Sequence, residues 1–447
     1  MSSPPHNPTI PVETIKELTP ARRQKILARS AVAFHAAQAE TRLILDRLRA
    51  EPLAELAREY GPLKPDLTPE DLLVGPEELE RALNEVSPEL VQALQTALNN
   101  IKKFHAAQLE RAMWLTEVQP GLLAGRVTRP LARVGVYIPG GRAAYPSSAL
   151  MNIAPAQVAG VQEIVAVTPP GPGFLARPTI VAAAHLAGAT RIYKLGGAWA
   201  IGSLAYGLLG LPKVDKIVGP GSSWVTAAKL AVYGEVDIDL PAGPSEGFII
   251  ADQSADPTIL AWDFLAQLEH DPEAAAVLVT TTRELAQRVA TIAQEKLADL
   301  DRAPIIQESL KNAAILVAAD LGEALALANE YAPEHLQLYI ADPLSHLGQV
   351  QNAGSVFLGP HSPIPGGDYA TGPNHVLPTG GAARSFSGLS TDAFLRKMTF
   401  QQLSQKALAG LTPTISALAR AEGLTAHALT VEARAQLAAG PANNPKV

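Results

Sequence analysis

The chain has 447 residues, 47% of them hydrophobic and 18% charged, with a formal net charge of -7 and a sequence pI near 5.8. That length allows two or three domains, the composition supports a large buried core, and the acidic balance argues against a nucleic-acid binder. Cysteine is absent, which excludes disulfides, thiolate metal ligands and a cysteine nucleophile.

Residues 1 to about 12 read as a loose tail. The first eight lack the basic and apolar regions of a signal peptide, and no apolar run reaches the ~18 residues of a membrane span. A cytoplasmic protein without a membrane segment is therefore expected. Thr19 as N-cap and Pro20 at the first helical position open a helical pattern over 19–47. Ser87 and Pro88 open another that runs to about Trp114, so the first 120 residues read as helical.

At Arg133 the texture changes. Short β-branched runs at 134–138, 163–168, 191–194, 216–218 and 237–240 alternate with helical patterns. A second series of strands follows at 248–251, 275–281, 313–318, 336–340 and 355–358, again with helices between. The pattern predicts two doubly wound, Rossmann-like α/β domains on parallel sheets, with a helical N-terminal region and a small helical C-terminal tail. The expected boundaries are an N-terminal tail and helix at 1–32, one α/β domain over 33–133 plus 247–385, the other over 134–246, and the tail over 386–447. Residues 376–400 carry turn signals, and the tail reads as two helices broken at Gly423.

Seven stretches carry candidate chemistry. Gly366 to His375 holds three glycines and a proline, which predicts a loop presenting Asp368 and His375 to one point, or a surface turn. Asp256 and Pro257 open a helix ended by Asp271-Pro272. Gln267 and His270 share its last turn, as metal ligands or as caps on the helix's own carbonyls. Glu334 and His335 stand at the turn entering a strand, as two general bases or as an exposed charged turn. Glu422 precedes the Gly423 break, Thr425 is the expected cap, and His427 falls in the first turn of the next helix, either as a neutral, ligand-ready imidazole favoured by the dipole or as a surface histidine on a tail. Glycine turns at 138–142 and 218–223 place backbone N–H groups near helix starts, and 241–246 forms a rigid link at an expected cleft.

Together these stretches resemble the histidinol dehydrogenases. The resemblance rests on Arg133–Gly141, Val214–Gly221, Ala242-Gly243-Pro244-Ser245-Glu246, Gln267-Leu268-Glu269-His270, Ala332-Pro333-Glu334-His335-Leu336 and Gly367-Asp368-Tyr369 through Thr379, and spans about residues 30–440. It implies zinc- and NAD-dependent oxidation of L-histidinol to L-histidine through histidinal, in an intertwined homodimer whose tail reaches the partner's site. It also implies Gln267, His270, Asp368 and His427 as zinc ligands and Glu334 and His335 as the catalytic pair. Ser245, His375 and Glu422 join the ligands and His335 around substrate, and Tyr137 contacts NAD. Two NAD positions depart from the family: Trp199 replaces the usual glutamine and Ser222 the usual asparagine. Trp199 either stacks on the cofactor or fills part of its pocket.

An oxygen and nitrogen donor set suits Zn²⁺. Without cysteine, the aldehyde step must proceed through a hydrate, which requires a base to activate water (Glu334) and a base for the hydroxyl protons (His335). The alternatives are a paralogous zinc and NAD alcohol dehydrogenase acting on another small alcohol or diol, a zinc hydrolase, and a non-catalytic binding protein.

Overall fold

The computed structural model describes residues 10–29, 34–140, 144–240 and 243–438. Gly141-Arg142 of the first glycine turn and Pro241-Ala242 of the rigid link lie outside the described residues. The strands in chain order are β1 (Val12–Thr14), β2 (Met113–Gln119), β3 (Leu122–Pro130), β4 (Arg133–Tyr137), β5 (Glu163–Thr168), β6 (Arg191–Lys194) and β7 (Lys216–Val218). They continue as β8 (Asp237–Ile238), β9 (Glu246–Ala251), β10 (Ala275–Thr280), β11 (Ala313–Val317), β12 (His335–Tyr339), β13 (Ser355–Leu358) and β14 (Leu395–Leu403).

Two parallel sheets form the larger of two compact units, made of Met1–Gln108 and Leu131–Phe394. One has the order β6-β5-β4-β7-β8 and the other β1-β11-β10-β9-β12-β13. Every residue of β9 and β10 is buried, as expected of strands covered by helices on both faces. The helix Phe34–Ala50 contributes Ile44, Leu45 and Leu48 to the core over the β4–β8 sheet, where Leu56 and Tyr60 join it. Helix starts follow their sequence signals: Thr19, Ser87 and Asp256 each accept a backbone N–H, and proline follows each. No helix among the described residues is long and apolar enough to cross a membrane.

The smaller unit, Leu109–Pro130 with Leu395–Val447, is an antiparallel sheet in the order β14-β3-β2 followed by the helices Gln405–Ala421 and Thr425–Ala438. Gly423 breaks the two helices with φ +75°. The second helix begins at Thr425 itself rather than being capped by it.

Four expectations need correction. The expected tail ends in ordered structure: Ile10 is buried and β1 pairs with β11. The helix opened at Ser87 stops at Ala106, and β2 follows where helix was expected, paired with β3 in a stretch for which no element was read. The tail region opens on β14, which pairs with β3 from Leu395↔Pro130 to Leu403↔Leu122. Residues Ile364–Tyr369 form a short helix, not a loop. Its Gly367 is a packing glycine, because a Cβ there would lie 2.6 Å from the Phe357 ring.

Candidate functional site

The candidate chemistry gathers at the N-terminal edge of the β9–β12 pair. Register places His335 opposite Gly247, so the two strands start side by side. Glu334 and His335 are 6% and 3% exposed, which rejects the exposed-turn alternative. The preceding helix Leu321–Tyr331 ends with Ala332 in a left-handed conformation, φ 52°, which swings the chain from helix into strand over three residues.

Glu246, the first residue of β9, fixes both bases through its backbone. Its N–H donates to Glu334 Oε2 at 2.8 Å, and its carbonyl lies 3.1 Å from His335 Nδ1. A proton on Nδ1 therefore leaves Nε2 as the basic nitrogen. Nε2 has no hydrogen-bond partner and lies 3.5 Å from Asp368 Oδ1. The His335 Nδ1 to Glu334 Oε2 distance is also 3.5 Å.

Burial pushes the Glu334 carboxyl up to about 8. Burial alone would lower His335, but the Glu334 and Asp368 carboxylates outweigh it and raise the imidazole to about 9. Burial likewise opposes ionisation of Asp368, yet its contact with His335 holds it below the usual carboxylate range. His270 and His375 are both lowered by burial, which favours neutral rings.

Asp368 comes from the short helix Ile364–Tyr369 and is buried. His375 places Nδ1 2.8 Å from the Asp368 carbonyl and Nε2 3.4 Å from Ser148 Oγ. Ser148 lies on the helix Pro146–Ala159 that follows β4, so His375 touches the half of the unit built on the other sheet. The adjacent Asn374 donates to Met151 O at 2.6 Å and lies 3.3 Å from Nε2 of the buried His105, whose Nδ1 faces Ile101 O. Ser245 immediately precedes β9.

Gln267 and His270 stand at the end of Pro257–Leu268. They do not cap it. The carbonyls of Leu268, Glu269 and His270 are bonded instead by Ser309 and Arg302. Gln267 is 1% exposed, and its Oε1 has no partner. Its side chain lies over Gly247, where a Cβ would come within 2.4 Å of Gln267 Cγ. Asp368 and His335 both act electrostatically on His270, which ties that ring to the same cluster. Among the described residues, no group of three or more His, Cys, Asp or Glu could hold a metal ion by itself. Glu422 and His427 are exposed and belong to the smaller unit.

The predicted cofactor residues meet at the opposite kind of edge, the C-terminal ends of β4, β6 and β7. Tyr137, Trp199 and Ser222 line one cleft of about 470 Å³ with Tyr60, Gly196 and Gly197. The Tyr137 hydroxyl accepts the Gly197 N–H at 3.2 Å. Trp199 donates Nε1 to Glu55 at 3.3 Å and meets Tyr60 edge-on with ring centroids 6.3 Å apart. Ser222 stands at the cap position of Ser223–Val232 without a side-chain cap bond. The turn before it is fixed by Gly219, φ +115°, where a Cβ would lie 2.1 Å from the Tyr137 carbonyl oxygen.

Sequence reasoning gave no role to Arg29, Glu246, Ser148, His105 or Tyr60. Glu246 and Asn374 sat inside quoted motifs. Arg29 gave no signal, because its partners lie some 300 residues away.

The family model described as histidinol dehydrogenase matches residues 27–435. A Methanosarcina barkeri protein called histidinol dehydrogenase is 45% identical over 420 residues, covering 94% of this chain and 96% of that protein. One from Methanothermobacter thermautotrophicus is 49% identical over 363 residues, covering 81% and 85%. A crystal structure of histidinol dehydrogenase from Elizabethkingia anophelis superposes with a TM-score of 0.91 at 36% identity, covering 97% of this chain and 99% of that one. With its motifs in order and its fold in agreement, this chain belongs to the histidinol dehydrogenase family.

Proposed function

We propose that the chain oxidises L-histidinol to L-histidine through histidinal, the closing steps of histidine biosynthesis, using zinc and NAD. The observation that carries this reading is the buried row Glu334–His335–Asp368 beside His270 and His375, with the free Nε2 of His335 inside it.

The donor set fits zinc. Gln267 Oε1 is a buried oxygen without a partner, and His270 and Asp368 bring a neutral imidazole and a carboxylate to its neighbourhood. Gln267, His270 and Asp368 would hold the ion with His427 of the partner subunit. Bound zinc would supply Lewis-acid polarisation and orientation of substrate.

The cleft at Tyr137 fits a dinucleotide. Backbone amides at the starts of the helices Gly197–Tyr206 and Ser223–Val232 suit a pyrophosphate, and the Trp199 ring lines the wall. Bound NAD would accept hydride.

His335 and Glu334 divide the proton transfers. In the first oxidation, Nε2 of His335 takes the hydroxyl proton as the carbinol carbon loses hydride. Glu334 then takes a proton from water as the water oxygen adds to the aldehyde carbon, and the protonated His335 returns its proton to the aldehyde oxygen, giving the hydrate and a neutral imidazole. His335 takes the hydrate's hydroxyl proton as the second hydride leaves. Per substrate, one alcohol, one water and two oxidised cofactors give one carboxylate, two reduced cofactors and three protons. His375, fixed by Asp368 and Ser148, and Ser245 would contact substrate beside this pair.

Glu422 and His427 would serve the site of a second copy, in a homodimer with exchanged tails. Their exposure supports this, as do Met113, Leu115, Val118, Leu418 and Leu429, large apolar side chains left bare on the small unit.

The test compares NADH formation by zinc-loaded protein from L-histidinol and from an amino alcohol of similar size without imidazole. Turnover confined to L-histidinol is expected. A preference for the imidazole-free alcohol would transfer the reading to a paralogous alcohol dehydrogenase.

A further inference from the structure

We infer that Arg29 is a positioning residue for Glu334 and His335, acting through Glu246 and the turn at Tyr331–Ala332. The inference rests on the reading of those two residues as the bases of the reaction.

The Arg29 side chain is 5% exposed and makes three kinds of contact. Its Nε lies 3.2 Å from Glu246 Oε2, on a side chain that is also 5% exposed. Its guanidinium carbon stands 3.8 Å from the Tyr331 ring centroid. Its Nη2 donates to the carbonyls of Tyr331 and, at 3.3 Å, Ala332. One planar fork thus grips the end of a helix and the carboxylate of the neighbouring strand.

Both gripped segments lead directly to the bases. Glu246 carries its side chain on Arg29 and on the Gly380 N–H, 2.6 Å from Oε1. Its backbone N–H orients Glu334, and its carbonyl sets which nitrogen of His335 carries the proton. Ala332 holds a left-handed conformation two residues before Glu334, an arrangement a non-glycine residue keeps only when its surroundings enforce it. Arg29 bonds the carbonyl of that residue and of the one before. Loss of the fork would free the turn and leave a buried carboxylate without its cation. Displacements well under 1 Å at a base are enough to slow proton transfer.

A purely structural ion pair predicts something different, and three variants separate the two roles. Arg29→Lys keeps the charge and loses the fork. Arg29→Met loses both. Arg29→Met combined with Glu246→Gln removes the unpaired carboxylate, restoring stability while the fork stays absent. For each, kcat and KM for L-histidinol are measured per folded, zinc-loaded site, with Tm and hydrogen exchange of the β9 amides in parallel. Wild type is measured first, since a wild type inactive on L-histidinol would strike the functional reading and not this inference.

The expected result for Arg29→Met is a kcat lowered about tenfold or more, KM within about twofold of wild type, and faster exchange at the Glu246 amide. In the double variant Tm returns toward wild type while kcat stays at least about fivefold down. Arg29→Lys falls between. If Arg29→Met does not fold, the lysine and double variants carry the test. A folded double or lysine variant with wild-type kcat would overturn the inference, as would a raised KM with kcat unchanged.

Discussion

His335 has one ring nitrogen bonded to the chain and one free, and the surrounding charges decide whether the free one can act as a base. In the protein without metal, the Glu334 and Asp368 carboxylates hold the imidazole protonated up to about 9. If Asp368 holds zinc as proposed, the dication would neutralise one of those carboxylates and repel the proton, so zinc binding should expel it. The sign follows. His335 is raised above its ordinary 6.5, so its contribution to the stability of the metal-free protein is full below that value and is lost as pH rises through about 9. Glu334, raised to about 8, acts in the same direction. Metal-free Tm should therefore fall from near-neutral pH to about 9, while zinc affinity should rise over the same interval by up to roughly tenfold per pH unit for each proton released. Calorimetric zinc titration at several pH values, in buffers of different ionisation enthalpy, reads both affinity and proton count. A pH-independent affinity with no proton release would contradict this account of the site.

The elements show how much of this was legible beforehand. All ten strands read from the β-branched runs are present in the two parallel sheets, because strands buried on both faces are written as continuous apolar runs. The antiparallel sheet was not legible. Residues of β2 such as Met113, Trp114, Leu115 and Val118 are exposed without alternation, and β14 finds β3 only across most of the chain. The helix Ile364–Tyr369 was hidden by Gly366 and Gly367, since a sequence does not distinguish a glycine needed for a turn from one needed for contact with Phe357. The side chains gathered around Asp368 were nameable because acids and imidazoles are conspicuous beside glycine and proline. Their supports were not. Glu246 acts through its backbone, Arg29 through distant carbonyls, and the His105–Asn374 contact joins residues 269 positions apart.

At the scale of the molecule, the site draws on both sheets of the larger unit. His375 and Ser148 join the N-terminal edge of the β9–β12 pair to the helix after β4, and the C-terminal ends of β4, β6 and β7 line the cleft proposed for the cofactor. The proposed exchange of tails makes a specific prediction. Asp368→Asn and His427→Asn homodimers should each be nearly inactive. Refolded together in equal amounts, they should recover roughly a quarter of the wild-type activity, because half the dimers then carry one intact site in two. No recovery on mixing, with dimers formed, would mean that each tail serves its own chain.

The central claim is that one site without cysteine performs both oxidations, with Glu334 activating water for the second. The measurement that tests it most directly is the ratio of NADH to histidine formed from L-histidinol by zinc-loaded wild type and Glu334→Gln. The account predicts two NADH per histidine in wild type, and in the variant a first oxidation that survives better than the second, with histidinal accumulating. One NADH with aldehyde released by wild type, or equal loss of both steps in the variant, would contradict it.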